Sequence, residues 1–248
     1  AKNNNYENQL QITDIKGDLH LHSTYSDGRN TIFEMAQKAQ KLNYQFLAIT
    51  DHSKSLKIAS GLSENTMQEK LLEIQKIQTS LDLKLLMGTE VDIMPDGSLD
   101  YSDQTLNMCD IVVASVHQGM NHDYQARILK AIENPHVTII GHLTGREYGK
   151  REAQNLDFDL IFKACHKNQV ALEINCQPRR FDINWKLATQ AKKHNCLFSI
   201  NTDAHNTKQL DNMHFGIKIA NKAMLNKSQI INTWTLKKLK EIKKQKLS

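Results

Sequence analysis

No run in this sequence approaches the roughly 20 apolar residues that a membrane-spanning helix needs. Residues 1–16 are polar and lack the apolar stretch of a secretory signal peptide. The protein is therefore expected to be soluble and cytoplasmic. Cysteine is sparse, and Cys109, Cys165, Cys176 and Cys196 form no C-x-x-C pair. That argues against a disulfide framework or a zinc ribbon and fits a reducing compartment. With 3 prolines and 10 glycines in 248 residues, no Pro/Gly-rich linker divides the chain, and internal repeats and low-complexity blocks are absent too. One domain over 15–248, behind a loosely ordered polar leader over 1–14, is the expected organisation. Charge of one sign is also missing: 32 basic against 27 acidic residues leave +5, a mild bias that permits nucleic acid without demanding it.

What the chain does have is a recurring pattern. Seven short apolar runs, Gly17–His22, Gln45–His52, Lys84–Asp92, Ile111–His117, Val137–His142, Val170–Cys176 and Leu197–His205, are each followed by a polar or helical stretch. Ile32, Met35, Ala36, Ala39 and Leu42 form one face of a first helix. Met67, Leu71, Ile74, Ile77 and Leu81 form one face of a second, with Ser63 or Asn65 as its N-cap. Residues 123–133, 157–168 and 184–195 read as weaker helices. Strands alternating with helices predict an α/β fold with a parallel sheet.

Parity within the runs narrows this to a barrel. Ser199, Asn201, Asp203 and His205 share one strand face, with Phe198 and Ile200 on the other. His20 and His22 likewise oppose Leu19 and Leu21. Polar residues are expected to line an interior mouth, and apolar ones to face the helices. Functional groups of (β/α) barrels sit at the C-terminal ends of the strands. The expectation is a distorted (β/α)7 barrel with its site at that rim.

The rim residues have metal-ligand chemistry. His20, His22, Asp27, His52, Glu90, His117, His142, Asp203 and His205 fall at or just beyond strand ends, or on an inward-facing position. A lone histidine is usually a surface or satisfied core residue; His122, His136, His166, His194 and His214, set in helices or loops, read that way. Imidazoles and carboxylates gathered at one rim would be costly to bury unpaired. Nine ligands exceed the four that one zinc takes, but suit two or three divalent ions sharing a carboxylate, with zinc, manganese or iron equally compatible. Asp51 points away from His52 and reads as support. Glu173 and Asn175 face inward and suit either orientation of a substrate oxygen or hydrogen-bonded scaffolding.

At these residues the chain resembles a known family. Gly17-Asp18-Leu19-His20-Leu21-His22-Ser23, Ser26-Asp27-Gly28, Thr50-Asp51-His52-Ser53-Lys54, Gly88-Thr89-Glu90-Val91-Asp92, Ala114-Ser115-Val116-His117, Gly141-His142 and Asn201-Thr202-Asp203-Ala204-His205 are similar to the motifs of the PHP (polymerase and histidinol phosphatase) superfamily. The likeness is to the C-terminal PHP domain of bacterial family X DNA polymerases, from about Ile15 to the C-terminus. Leu143 stands where that family usually has proline. The resemblance implies a trinuclear centre in which His20, His22, Glu90 and Asp203 hold one ion. Glu90, as a bridge, with His117 and His142 would hold the second, and Asp27, His52 and His205 the third. Glu90, His117 and Asp203 are then the catalytic set. Family X enzymes carry nucleotidyltransferase domains ahead of the PHP domain, so this chain is expected to be either such an excised domain, with polymerase domains as partners, or a stand-alone relative.

The implied chemistry is phosphate ester hydrolysis. Two close ions would lower the pKa of a bridging water and neutralise charge on phosphoryl oxygens. Lys54, Arg146, Lys150, Arg151, Arg179 and Arg180 lie in loops beyond strand ends; Lys54, Arg146 and Arg179, with Asn175, are the expected substrate contacts. Phe181 and Tyr148 are placed to stack on bases. The tail Trp234–Leu247 reads as a helix docked on the barrel through Trp234, Leu239 and Ile242, with its lysines in solvent. DNA 3′ ends, attacked by a 3′–5′ exonuclease, are the expected substrate. A small phosphomonoester such as histidinol phosphate is the alternative. An amidohydrolase barrel, which also begins with His-x-His, is disfavoured because no lysine ends the third or fourth strand.

Overall fold

The computed structural model describes residues 9–247, without the side chains of 243–247. All seven apolar runs contain strands: β1 (Gly17–Asp18), β2 (Phe46–Ile49), β3 (Lys84–Asp92), β4 (Ile111–Ser115), β5 (Ile139–Ile140), β6 (Ala171–Asn175) and β7 (Leu197–Asn201). They pair in parallel and in sequence order. Helices α1 (Ile32–Lys41), α2 (Glu64–Gln78), α3 (Asp103–Asn107), α4 (Tyr124–Glu133), α5 (Phe158–Lys167), α6 (Trp185–Lys193), α7 (Met213–Lys222) and α8 (Leu236–Leu247) complete the order. None of the described helices is long and apolar enough to cross a membrane.

The helices begin where their sequences provide caps. Thr31 and Glu34 form a reciprocal capping box at α1, and Ser63, not Asn65, caps α2 by accepting from the Thr66 N–H. The three weaker helix candidates become α4, α5 and α6. The sequence reading omitted α3 and α7. A five-residue helix is too short to show a period. In α7, however, Met213, Gly216, Ile217 and Ala220 are buried at helical spacing.

Alternation along the strands divides the apolar residues into two bodies. Leu47 and Ile49 pack outward with Met35 and Ala36 of α1, while Phe46 and Ala48 turn into the barrel with Leu86, Ile111, Val113, Ile139 and Ala171. The interior is thus apolar in its lower half and polar only at the rim. Leu19 departs from the expected parity. It joins the interior cluster, whereas Leu21 faces the helices. The reason is local: β1 leaves its ladder after Asp18, whose carboxylate accepts from the His20 N–H at 3.2 Å, so strict two-residue alternation stops there.

Two devices close the barrel between β7 and β1. At the rim, Leu21 and Ala204 form a parallel bridge, and the Asp203 N–H donates to the His20 carbonyl at 2.9 Å. Lower down, buried Asn232 fills the gap. Its amide donates to the carbonyls of Gly17 (3.0 Å) and Ile200 (2.8 Å), and its oxygen accepts from the Ile200 N–H at 2.7 Å. α8 then covers the barrel floor with Leu239 and Ile242, each burial stabilising by about 1.5–3 kcal/mol. The expected leader is partly corrected: residues 1–8 lie outside the described residues, but Leu10 is buried, with its backbone N–H and C=O both hydrogen-bonded to Asn221 of α7 at 2.9 Å. A buried apolar side chain with both backbone groups paired is ordered packing.

Candidate metal centre

The strands deliver their functional side chains just beyond their last paired residues. His20 and His22 follow β1, His52 follows β2, His117 β4, His142 β5, and Asp203 and His205 β7. Glu90 differs: it lies within β3, the longest strand, at the register of Val113 and bridged to His52. Two of these residues have left-handed backbones, His142 at φ +23° and Asp203 at φ +51°. Such conformations cost about 1–3 kcal/mol and concentrate at functional sites.

Asp27 arrives by a tight loop. The Gly28 N–H returns to the Ser23 carbonyl at 3.0 Å, and a β-carbon on Gly28 would lie 2.7 Å from the His22 carbonyl carbon. Only glycine permits that approach. The loop is anchored from below by Asp51, which accepts from Ser23 N (2.8 Å) and Ser26 Oγ (2.8 Å). Asp51 in turn meets Lys70 Nζ at 3.0 Å, with both side chains fully buried. Burial alone would raise the Asp51 carboxyl; Lys70, then His22 and the Ser23 N–H, hold it below the usual carboxylate range. The loop so held sets Asp27 3.8 Å from His22, 3.6 Å from His52 and 3.3 Å from His205.

Glu90 is the hub. Its Oε1 faces His142 Nε2 at 2.9 Å and His117 Nε2 at 3.3 Å; its Oε2 faces His52 Nδ1 at 3.0 Å, His20 Nε2 at 3.3 Å and His22 Nε2 at 3.5 Å. Asp203 Oδ1 approaches His22 Nε2 at 3.1 Å and His20 Nε2 at 3.6 Å. All nine candidate ligands therefore converge on one cluster. Three sets have donor atoms within 4.8 Å of one another: His22, Asp27, His52 and His205; His20, His22 and Glu90; and His52, Glu90 and His117. His22 and His52 stand at the seams between sets, so the grouping is less partitioned than the resemblance implied.

Two carboxylates fix the imidazoles. Glu173 Oε1 lies 2.6 Å from His20 Nδ1, and Asp92 Oδ1 lies 2.7 Å from His117 Nδ1. Each leaves Nε2 pointing at Glu90, the carboxylate–histidine arrangement that orients metal-ligating imidazoles. Asp92 escaped the sequence reading, although it is two residues from Glu90 and so shares its strand face. Asp18 escaped too. It accepts from Thr202 N and Oγ1, joining β1 to β7, and burial pushes its pKa up to about 7.

The electrostatics are those of a carboxylate cluster neutralised by cations. Burial opposes charge at Glu90, yet His20 and His117 hold it well below the carboxylate range. Burial likewise opposes protonation of His117, but Glu90 and Asp92 carry it to about 10. His22 goes the other way, to about 4, through burial and then the neighbouring His205 and His52. Buried His20 Nε2, His22 Nδ1, His52 Nδ1 and His142 Nδ1 make no hydrogen bond. His20 Nε2 and His52 Nδ1 face Glu90 without a hydrogen bond, and buried polar nitrogens left without one are costly. Set among carboxylate oxygens, without thiolates, they form a donor set that suits divalent metal ions.

The expected substrate contacts differ in how free their side chains are. Lys54, half exposed, pairs with Glu64 at 3.1 Å. Arg179 is exposed. Arg146 donates to the carbonyls of Arg180 (2.7 Å) and Phe181 (2.5 Å) and stacks on Tyr148, so its fork is engaged in holding a loop. Asn175 is fully buried, donating to Glu173 (3.0 Å) and Asp203 (3.1 Å) and accepting from Gln177 N. Its amide and its carbonyl oxygen are both engaged internally, in a position that orients the Glu173 and Asp203 carboxylates. Arg180, one residue past Arg179, is the cation that reaches the centre. Its Nε lies 3.8 Å from Asp203 Oδ2, and its buried Nη1 has no partner.

Comparison with known proteins places this architecture. The PHP domain model matches residues 18–177. The chain is 40% identical over 232 residues to the DNA polymerase/3′-5′ exonuclease PolX of Bacillus subtilis, covering 92% of this chain and 41% of that protein. It thus spans less than half of that relative's length. It is 28% identical over 258 residues to a probable phosphatase of Thermoanaerobacter, covering 92% of this chain and 94% of the relative. Among solved structures, histidinol phosphate phosphatase from Lactococcus lactis, complexed with zinc, L-histidinol and phosphate, superposes with a TM-score of 0.63 at 19% identity, over 85% of this chain and 94% of that one. Barrel, rim cluster and sequence match agree: this chain belongs to the PHP domain family.

Proposed function

We propose that this chain is a metal-dependent phosphoesterase that removes nucleotides from DNA 3′ ends, with two to three divalent ions held by His20, His22, Asp27, His52, Glu90, His117, His142, Asp203 and His205. The observation that carries the reading is Glu90, whose two oxygens face five imidazoles while Arg180 waits beside Asp203 with an unpartnered guanidinium nitrogen. Zinc, manganese or iron bound there would supply positive charge against the phosphoryl oxygens and a lowered pKa for an attacking water.

The chain's own residues do the rest. Glu90 divides its oxygens between the donor sets and so fixes their spacing. Glu173 and Asp92 hold the Nδ1 sides of His20 and His117, presenting Nε2 inward. Arg180 offers its free N–H groups to a non-bridging phosphoryl oxygen, a charge-assisted contact. Support for the nucleic-acid substrate comes from the Bacillus relative's identity and the basic excess of the chain. The phosphatase relative, matched over nearly its whole length, supports a small phosphomonoester as the second reading.

The discriminating experiment loads the purified chain with manganese or zinc. A 5′-labelled single-stranded oligonucleotide and p-nitrophenyl phosphate are then offered side by side. The proposal expects a ladder shortening from the 3′ end, abolished by chelator. Turnover of the monoester alone would establish the second reading instead.

A further inference from the structure

Beside the rim lies a cleft of 440 Å³ lined by Arg146, Tyr148, Phe181, Asn184, Trp185, Lys186, Phe215, Lys218 and Ile219. Four of its walls are aromatic, three are cationic and none is a carboxylate. The rings are open to solvent: Tyr148 is 55% exposed, and Phe181, Trp185 and Phe215 are only partly buried. Phe181 and Phe215, both lining the cleft, meet edge to face with centroids 5.4 Å apart. Lysines surround them, Lys222 Nζ standing 4.5 Å from the Trp185 centroid and Lys218 Nζ 6.0 Å from that of Phe215.

The cleft is joined to the metal centre through one loop. Phe181 directly follows Arg180, which approaches Asp203, and Arg146 binds the carbonyls of both residues while stacking on Tyr148. A ligand with a phosphate at Arg180 and a flat ring one step away would meet both features at once. Size, ring faces and cations match the stacking-plus-backbone mode by which proteins hold single strands, and the volume falls within the usual range for ligand pockets. We infer that this cleft receives an unpaired nucleobase of a single-stranded polynucleotide whose neighbouring phosphate lies at the metal centre. The inference rests on the phosphoesterase reading above and adds to it a position where a base is held. It follows that a 3′ end must be unpaired to bind fully, because a base inside a duplex cannot enter the cleft.

The test uses the metal-loaded chain and the variants Tyr148→Ala, Phe215→Ala and Lys218→Gln. Tyr148 and Lys218 are exposed, so their replacement leaves the core intact. Removing one stacking ring should weaken oligothymidylate binding, measured by anisotropy in calcium, by about 5- to 150-fold. The rates of Phe215→Ala and Lys218→Gln on bis-p-nitrophenyl phosphate, which does not reach the cleft, should stay within twofold. An oligonucleotide series with an abasic site walked in from the 3′ end should show one position at which wild type loses affinity and Phe215→Ala loses none further. Equal affinities of wild type and all three variants, or an abasic scan without such a position, would overturn the inference. A wild type that processes the oligonucleotide yet gives those results sinks the cleft alone; one that hydrolyses no oligonucleotide at all sinks the functional reading with it.

Discussion

Replacing Lys70 with Met would remove the ammonium beneath the Asp27 loop while keeping most of the side-chain volume. In the native chain Lys70 Nζ bridges Asp51 Oδ2 and the Gly88 carbonyl, each at 3.0 Å, with no solvent at either member of the ion pair. Breaking one side of a fully buried pair strands the other charge and costs about 3–5 kcal/mol. At about 2–4 °C per kcal/mol for a chain of this size, the melting temperature should fall by about 6–20 °C. The pH dependence follows from Asp51. Burial raises its carboxyl, but Lys70 and then His22 and Ser23 hold it low, so its native contribution is present at neutral pH and is lost only as pH falls through that depressed value. Without Lys70 burial dominates, the folded pKa rises above the unfolded value of about 3.9, and the penalty grows as pH climbs past it. Urea unfolding of chelator-treated wild type and variant should therefore show a larger loss at pH 8 than at pH 5. Asp51→Asn added to Lys70→Met should recover part of the loss at pH 8. A loss under about 1 kcal/mol at pH 8, or one that does not change with pH, would refute the reasoning.

Glu90→Gln should lower turnover by more than about 100-fold with an unchanged far-ultraviolet circular dichroism spectrum; near wild-type turnover would remove Glu90 as hub. Glu173→Gln, which leaves His20 without its charged anchor, should weaken metal affinity by about 10- to 100-fold, read by chelator competition. Arg180→Ala should cut kcat/KM for phosphate esters by about 10- to 100-fold, in line with losing one charged hydrogen bond, with metal content unchanged by elemental analysis. Metal loading should release protons near pH 7, because metal displaces those that Glu90 and Asp92 hold on His117 up to about pH 10. Calorimetry in two buffers of different ionisation enthalpy reads this directly, and equal heats would contradict it.

Much of the architecture was written locally. Each apolar run is a strand because it is short, β-rich and bounded by polar residues, and α1 and α2 declare themselves through caps and a 3.6-residue period. Candidate ligands such as His20, His22, Asp203 and His205 stood out because period-two spacing at a strand end puts both members of a pair on one side. Where the backbone leaves ideal geometry, that reasoning fails, as at Leu19, which turns inward once β1 stops pairing. The cationic contacts were harder still. Arg146, Arg179 and Arg180 are neighbours in kind and in loop position, and nothing in their spacing tells which guanidinium is engaged with carbonyls and which stays free beside Asp203.

The sequence by itself determined the barrel class, the seven strands and the chemical character of the rim, because these depend on hydrophobic period and residue type along short segments. Tertiary structure alone decided the convergence on Glu90, the anchoring of His20 by Glu173 and of the Asp27 loop by Lys70, and the sealing of β1 against β7 by Asn232. Those pairs are separated by up to 215 residues along the chain. Their distances arise from how strands register and helices pack, which no local pattern encodes.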